Sequence, residues 1–252
     1  MSKMKRLIFK VNDLEKEYGS TNALSLKKLE IHPGTIYGIV GNVGSGKSTL
    51  LNILAGIEKE SSGTVLYEDN PYETNWLGKI QTHDDVFYTK EISINAPSST
   101  VSSYISSKFG KKKNVIQNRY FKDGSFKNLW TRNMKDISSG EMHWLGMILA
   151  CEADPRVLLI DDYGVYFNNK MEKDFRSKIG AMNRTLGTTI ILSSPSDTNL
   201  KHFASVLIFL DHGHIWKIRP GISRGNNRNK RNDRNNRNTN RSRNRRRNQK
   251  RQ

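Results

Sequence analysis

Gly41-Asn42-Val43-Gly44-Ser45-Gly46-Lys47-Ser48-Thr49 follows the run Thr35-Ile36-Tyr37-Gly38-Ile39-Val40 and precedes Leu50-Leu51-Asn52-Ile53-Leu54. Strand, glycine loop and helix start read off in that order, and the loop fits the phosphate-binding pattern G-x-x-x-x-G-K-[ST]. Gly41, Gly44 and Gly46 are expected to take positive φ and to let successive backbone N–H groups close on a phosphate. The helix that follows adds its positive N-terminal end. Lys47 is placed to reach β and γ phosphates, and the Ser48 hydroxyl to ligate Mg²⁺. Asn42, Val43, Ser45 and Thr49 complete the expected phosphate site. A plain turn would account for the glycines but not for Lys47 and Ser48 in register with them.

Upstream of the loop, residues 7 to 40 alternate polar and apolar in short runs, with turns marked at Tyr18-Gly19 and Pro33-Gly34. This predicts a small antiparallel sheet feeding a buried strand. Downstream, the pattern predicts a helix over 48–58, a strand over Gly63–Tyr67 and a turn at Asp69-Asn70-Pro71. Residues 98 to 136 are rich in Ser, Lys and aromatics, and predict a basic helical subdomain of poor periodicity. A helix over Ser139–Glu152 stops before Pro155, and Val157-Leu158-Leu159-Ile160 has the continuous apolar character of a buried parallel strand. A helix from about Lys170 ends at Gly187, Thr188–Leu192 gives another strand, and 206–216 closes as a hairpin around Asp211-His212-Gly213.

The formal net charge is +18, and it is placed unevenly. Residues 221–252 hold 13 Lys/Arg against one acid, Asp233, and so carry +12 of it. From residue 224 onward there is almost nothing but Arg, Asn, Lys and Gln, with no apolar side chain to bury, which predicts a disordered extension. Such a tail fits attachment to nucleic acid through phosphates or to an anionic membrane face. It equally fits a solvated extension without a partner. With no aromatics interleaved, base stacking is not available to it. The single Cys151 excludes an intramolecular disulfide, which suits a reducing cytoplasm. No run approaches the ~18 apolar residues of a spanning helix, and Leu7-Ile8-Phe9 is too short for a signal-peptide core.

Over about residues 5 to 218 the order of segments resembles the ATP-binding cassette (ABC) ATPase family. A second marker is Ile137-Ser138-Ser139-Gly140-Glu141, similar to that family's LSGGQ or LSGGE signature. Pro155 and Asp161 lie 17 and 23 residues after Ser138, the places of the family's Pro and Walker B Asp. The resemblance implies a fold: α/β, with a P-loop NTPase core of mostly parallel sheet flanked by helices. An N-terminal antiparallel β subdomain and a small helical subdomain over about 98–152 join it, making one domain of residues 1–220 before the tail. It implies ATP and Mg²⁺ as cofactors, with Tyr18 stacking on adenine and Ser48 and Asp161 holding the metal. It also implies head-to-tail pairing with a second cassette, homodimer or heterodimer, whose ATP would meet Ser138, Ser139, Gly140 and Glu141. Integral membrane subunits would complete a transporter, with this chain peripheral at the cytoplasmic face.

Several positions depart from the family. Asp162 stands where the water-orienting Glu usually is, and is one methylene shorter. Pro195 falls at the switch-His position and offers no side-chain donor, with Ser194 beside it as a substitute. Counting back from Thr100-Val101 puts Glu91 at the Q-loop Gln. Ser139 replaces a signature Gly, and Asn168 an acid in the D-loop. Reach governs a general base before pKa does, so hydrolysis is expected to be slower by about 10² to 10⁴. Three readings compete: a degenerate subunit of a heterodimer, a slow homodimer, or an ATP-binding scaffold. A soluble, nucleic-acid-associated ABC ATPase is the alternative class.

Overall fold

The structure is a computed structural model that describes residues 6–94, 98–124 and 126–222. The expectations for the tail therefore lie outside the described residues, apart from Gly221 and Ile222. In chain order, β1 (Phe9–Tyr18) turns back into β2 (Thr21–Ile31), and β3 (Ile36–Val40) runs into the glycine loop and α1 (Lys47–Leu54). β4 (Ser62–Tyr67), the short β5 (Asn70–Pro71) and β6 (Val86–Tyr88) follow. A helical stretch contains α2 (Glu91–Ile94), α3 (Val101–Phe109), α4 (Lys113–Ile116) and α5 (Ser139–Ala153). Last come β7 (Val157–Ile160), α6 (Asn169–Leu186), β8 (Thr189–Ser194), β9 (Val206–Asp211) and β10 (His214–Pro220).

The strands form two sheets, ordered β2-β1-β4-β5 and β10-β9-β3-β8-β7-β6. The first is antiparallel. In the second every neighbouring pair is parallel except β10 on β9. Every residue of β3, β7 and β8 is buried, as continuous apolar runs covered on both faces must be. Strand alternation sorts them into two layers. Ile36, Leu158, Ile160, Ile190 and Leu192 pack with α5 and α6. Tyr37, Ile39, Leu159 and Ile191 pack with Leu50, Leu51 and Leu54 of α1 and with the antiparallel sheet. This is the expected α/β arrangement, with the antiparallel sheet at the N-terminus.

Sequence explains the local details. In β1, Val11 and Leu14 both point into the core although they are three apart, which simple alternation forbids. A bulge at Asp13, with φ 45°, resets the register between Asn12 and Glu15, the usual effect of one extra residue in a strand. α1 ends four residues earlier than expected because Gly56, with φ 69°, breaks the helix. α5 is buried on nearly all sides, which requires apolar residues all round. At Gly146 a side chain would lie 2.8 Å from the Thr89 carbonyl, so α5 sits directly on the turn after β6. α6 is amphipathic, capped by Asn168 through Lys170 and Met171 amides and ended by Gly187 at φ 71°.

The basic stretch is helical, as expected, and the reason for its poor periodicity is visible. α3, capped by Thr100, runs into a 3₁₀ turn (Gly110–Lys112), α4, a π turn (Gln117–Phe121) and two further 3₁₀ turns (Lys127–Thr131 and Met134–Asp136). Three helical periods follow one another within a few residues, so no single one emerges. Trp144 of α5 organises the packing, stacked on Phe126 at 3.9 Å and edge-on to Phe121 at 5.4 Å. Among the described residues no helix is long and apolar enough to cross a membrane.

Candidate functional site

The carboxyl ends of β3, β8 and β7 lie side by side, since β8 pairs with both its neighbours: Val40 with Ser194, and Ile160 with Leu192. The glycine loop leaves β3, Asp161 follows β7, and Ser193 and Ser194 end β8. Open α/β sheets gather their ligand residues at such edges.

In the loop, Gly44 and Gly46 take φ of 81° and 95°, a region other residues enter at a cost. A side chain on Gly46 would also come within 2.7 Å of the Ala23 carbonyl and of Leu24. Gly41 differs from the expectation: it is not among the positive-φ residues. It is needed for space, because a Cβ there would collide with the Leu210 carbonyl and the Ser45 hydroxyl. Gly46 caps α1, so the helix N-terminus with Ser48 and Thr49 opens toward the loop. Val43 and Asn42 stand outward, while Ser45 is buried. Lys47 is folded onto the loop, its Nζ donating to the Gly41 and Asn42 carbonyls at 2.7 and 2.8 Å. Burial holds its ammonium below the ordinary lysine range, an effect opposed by Asp161 and Asp162.

Asp161 is 2% exposed. Burial alone would push its carboxyl up, yet hydrogen bonds from Ser193 and Ser48 and the Lys90 ammonium hold it below the usual carboxylate range. Ser193 Oγ donates to Oδ1. Lys90 Nζ donates to Oδ2 at 3.0 Å, and Tyr88 OH reaches the same oxygen at 3.4 Å. Ser48 and Asp161 thus face each other as two hard oxygen donors. Mg²⁺ fits this pair, since it favours one or two protein oxygens with phosphate and water making up an octahedron. Among the described residues no group of three or more His, Cys, Asp and Glu side chains is placed to hold a metal alone.

Asp162 lies beside Asp161 with φ 50°, and its amide donates to Ser193 Oγ at 2.9 Å. Burial, and then the neighbouring Asp161 charge, raise its carboxyl pKa, which makes it a better proton acceptor near neutrality. Ser194 meets the loop through its backbone, its carbonyl accepting from the Gly41 amide at 3.3 Å. Pro195 is exposed just beyond it. Of the two serines, it is Ser193 whose hydroxyl reaches the Asp161 carboxylate.

Glu91 is elsewhere. It lies in a groove of about 460 Å³ with Phe87, Tyr104, Lys108 and Phe109, its carboxyl raised by burial and partly offset by Lys108. The residue that faces Asp161 is Lys90. Counting back from Thr100 gives Glu91, whereas the side chain in contact with Asp161 is that of its neighbour Lys90. Lys90 shares a cavity of about 200 Å³ with Thr89, Ser139, Met142, His143, Asp161, Asp162 and Tyr166. Thr89 Oγ1 and His143 Nε2 are buried there without a hydrogen-bond partner among the described residues. Burial pushes the His143 imidazole down to about 4.

Ser138 caps α5, and with Glu141 it forms a reciprocal box: Glu141 Oε2 accepts from the Ser138 amide at 2.8 Å and its hydroxyl at 2.7 Å. Arg132 holds the other Glu141 oxygen at 2.8 Å. Ser138 and Ser139 are exposed and Gly140 is half-buried, so this helix end faces outward. Tyr18 is also accessible. Its hydroxyl bonds Glu58, its pKa is pushed up to about 12 by burial and then by Glu58, and Lys16 covers one ring face at 5.1 Å. Asn168 is explained by its service as the α6 cap. Sequence reasoning passed over Lys90, Ser193, Thr89 and His143, whose only signal is their nearness to Asp161 in the fold.

A profile described as ABC transporter matches residues 24–163. A probable sulfate/thiosulfate import ATP-binding protein of Chlorella vulgaris is 28% identical over 218 residues, 82% of this chain and 89% of its own length. The tungstate uptake ATP-binding protein TupC of Peptoclostridium acidaminophilum is 25% identical, covering 81% of this chain and 95% of its own. Among solved structures, the dimeric cassette MJ0796 with ADP and Pi superposes with a TM-score of 0.68 at 18% identity, covering 84% of this chain and 98% of that one. The CbiO1 subunit from Clostridium perfringens gives 0.64 at 20%, covering 84% and 88%. With more than half of its length matched and the phosphate loop, Asp161 and the Ser138 helix end in one fold, the chain belongs to the ABC transporter family, as an ATP-binding cassette that takes ATP with Mg²⁺.

Proposed function

We propose that this cassette is the ATP-binding subunit of a transporter, pairing with a second cassette and coupling closure over Mg-ATP to separate membrane subunits. The observation that carries the reading is the joint placement of Lys47, Ser48 and Asp161 at one sheet edge, with the Ser138 helix end left open to a partner. Gly41 to Thr49 cradle the phosphates, Tyr18 offers its uncovered ring face to adenine, and Ser138 to Glu141 serve the partner's nucleotide. Residues 1–220 form the cassette, with about 98–152 as its helical arm. The groove lined by Phe87, Glu91, Tyr104, Lys108 and Phe109 is where the membrane subunit docks, which puts the chain at the cytoplasmic face of a membrane.

Turnover is slow. The Asp162 carboxylate is short, and Pro195 leaves no imidazole at the end of β8. Mg²⁺ when bound screens phosphate charge, while this chain's Lys47 and loop amides orient the triphosphate and Asp162 takes up the proton of an attacking water. Asp162→Glu is expected to raise the ATPase rate; native turnover of several per second by the isolated chain would refute slow hydrolysis. Purification of the native complex in detergent tests the transport reading, which predicts an integral membrane protein in the complex. The 13 basic residues within 221–252 favour a second reading, a soluble cassette anchored to nucleic acid. Recovery of RNA or DNA dependent on that tail, with no membrane protein, would replace the first reading by the second.

A further inference from the structure

Lys90 is in an unusual place for a cation. Its Nζ contacts the carboxylate that faces Ser48, at 3.0 Å, and its side chain is 42% exposed into a cavity of about 200 Å³ that Asp161 and Asp162 also line. Lys47 approaches the same two acids from the phosphate loop. Asp161 is therefore in contact with one ammonium, and a second, Lys47, lies within electrostatic reach of both acids. Thr89 and His143 also line the cavity, with Thr89 Oγ1 and His143 Nε2 buried and without a hydrogen-bond partner among the described residues. Asp161 and Asp162, which the phosphate-loop Lys47 also feels, line this cavity, so the Lys90 ammonium stands beside the site that a triphosphate on the loop would fill.

We propose that Lys90 is a resident counter-cation for the terminal phosphate, supplying part of the positive charge a divalent metal provides, so that ATP binds with weak dependence on Mg²⁺. The inference rests on the ATP-site reading above and concerns this chain's own residue at that site. A lysine ammonium is a compact, strongly hydrated point charge on a flexible stem, and its three donors can contact Asp161 and a phosphate oxygen at once. Mg²⁺ still binds between Ser48 and Asp161, but the affinity it adds is reduced, because Asp161 is already neutralised.

Calorimetric titration of ATP into the full chain, with Mg²⁺ or with EDTA, tests this. For the native chain, EDTA is expected to weaken binding by less than about tenfold, and for Lys90→Gln by about a hundredfold or more, most of the change falling on the metal-free side. One charge-assisted contact accounts for a difference of about tenfold or more. Lys90→Arg should behave like the native chain, and circular dichroism of each variant shows that it is folded. A native chain whose binding collapses in EDTA overturns the proposal. So does a Lys90→Gln loss that is equal with and without Mg²⁺, which marks a plain anion contact. Absence of ATP binding even with Mg²⁺ would overturn the site reading itself, a result distinct from either of these.

Discussion

Replacing Ser193 with Ala should destabilise the free protein measurably, and the size follows from its contacts. Ser193 is fully buried. Its hydroxyl donates to Asp161 and accepts from the Asp162 amide. After truncation the Asp162 amide still reaches Asp161 Oδ1 at 3.2 Å, so the loss is chiefly one hydrogen bond to a buried charge, about 2 kcal/mol. For a folded domain of this size that is about 4–8 °C in Tm. Acid titration adds a second signature. Asp161 has a depressed folded pKa, so its contribution is present above the unfolded value of about 3.9 and is lost as pH falls through the folded one. Ser193→Ala moves the folded value upward, and the acid-side loss becomes smaller. The assay is urea unfolding of the nucleotide-free chain between neutral and acid pH, with Ser194→Ala as the comparison, because Ser194 serves the loop through its backbone carbonyl. A Ser193→Ala cost below about 0.5 kcal/mol, or an equal cost for Ser194→Ala, would refute the reasoning, since a well-made bond to a buried charge cannot be that weak.

Other expectations follow from the same contacts. Gly46→Ala meets both a disallowed φ and the Ala23 carbonyl, so ATP binding should be abolished and stability should fall by about 2 kcal/mol or more; unchanged binding by calorimetry would contradict the loop geometry. Tyr18→Ala should weaken ATP binding by about tenfold with little change in folding, in line with the loss of one base stack, whereas Tyr18→Phe should keep the affinity. His143, held near 4 against about 6.5 when unfolded, is neutral in the fold and protonates on unfolding. Stability should therefore fall by up to about 3 kcal/mol as pH drops from 6.5 to 4, and His143→Gln should remove this slope from the unfolding profile.

The parts of the site legible in sequence are those whose chemistry is local. The loop glycines, Lys47 and Ser48 are contiguous, and Asp161 is fixed by a constant spacing through α5 and β7, two regular elements of predictable length. Lys90 was not legible. It meets Asp161 across 71 positions, and no local pattern ties the two together. β6 is only three residues long, too short to show alternation. Ser193 and Ser194 are adjacent in β8, and strand pleating alone decides which hydroxyl faces the Asp161 carboxylate. The loop pattern implies positive φ at Gly41, whereas the structure uses it for clearance, because the strand end passes close to the Leu210 carbonyl.

The ladder β3-β8-β7 acts as a ruler. Adjacent strands lie about 4.8 Å apart, so the strand feeding Lys47 and the strand feeding Asp161 stand about 10 Å from each other, two rungs apart. That gap belongs to main-chain hydrogen bonds in the most buried layer of the molecule, and changing it would mean shearing the sheet. Side chains at the rim can be exchanged, Glu for Asp162 or His for Pro195, without altering the calibre of the jaw. A cassette can thus lose its cutting edge by single substitutions while its grip on a triphosphate stays set by the backbone.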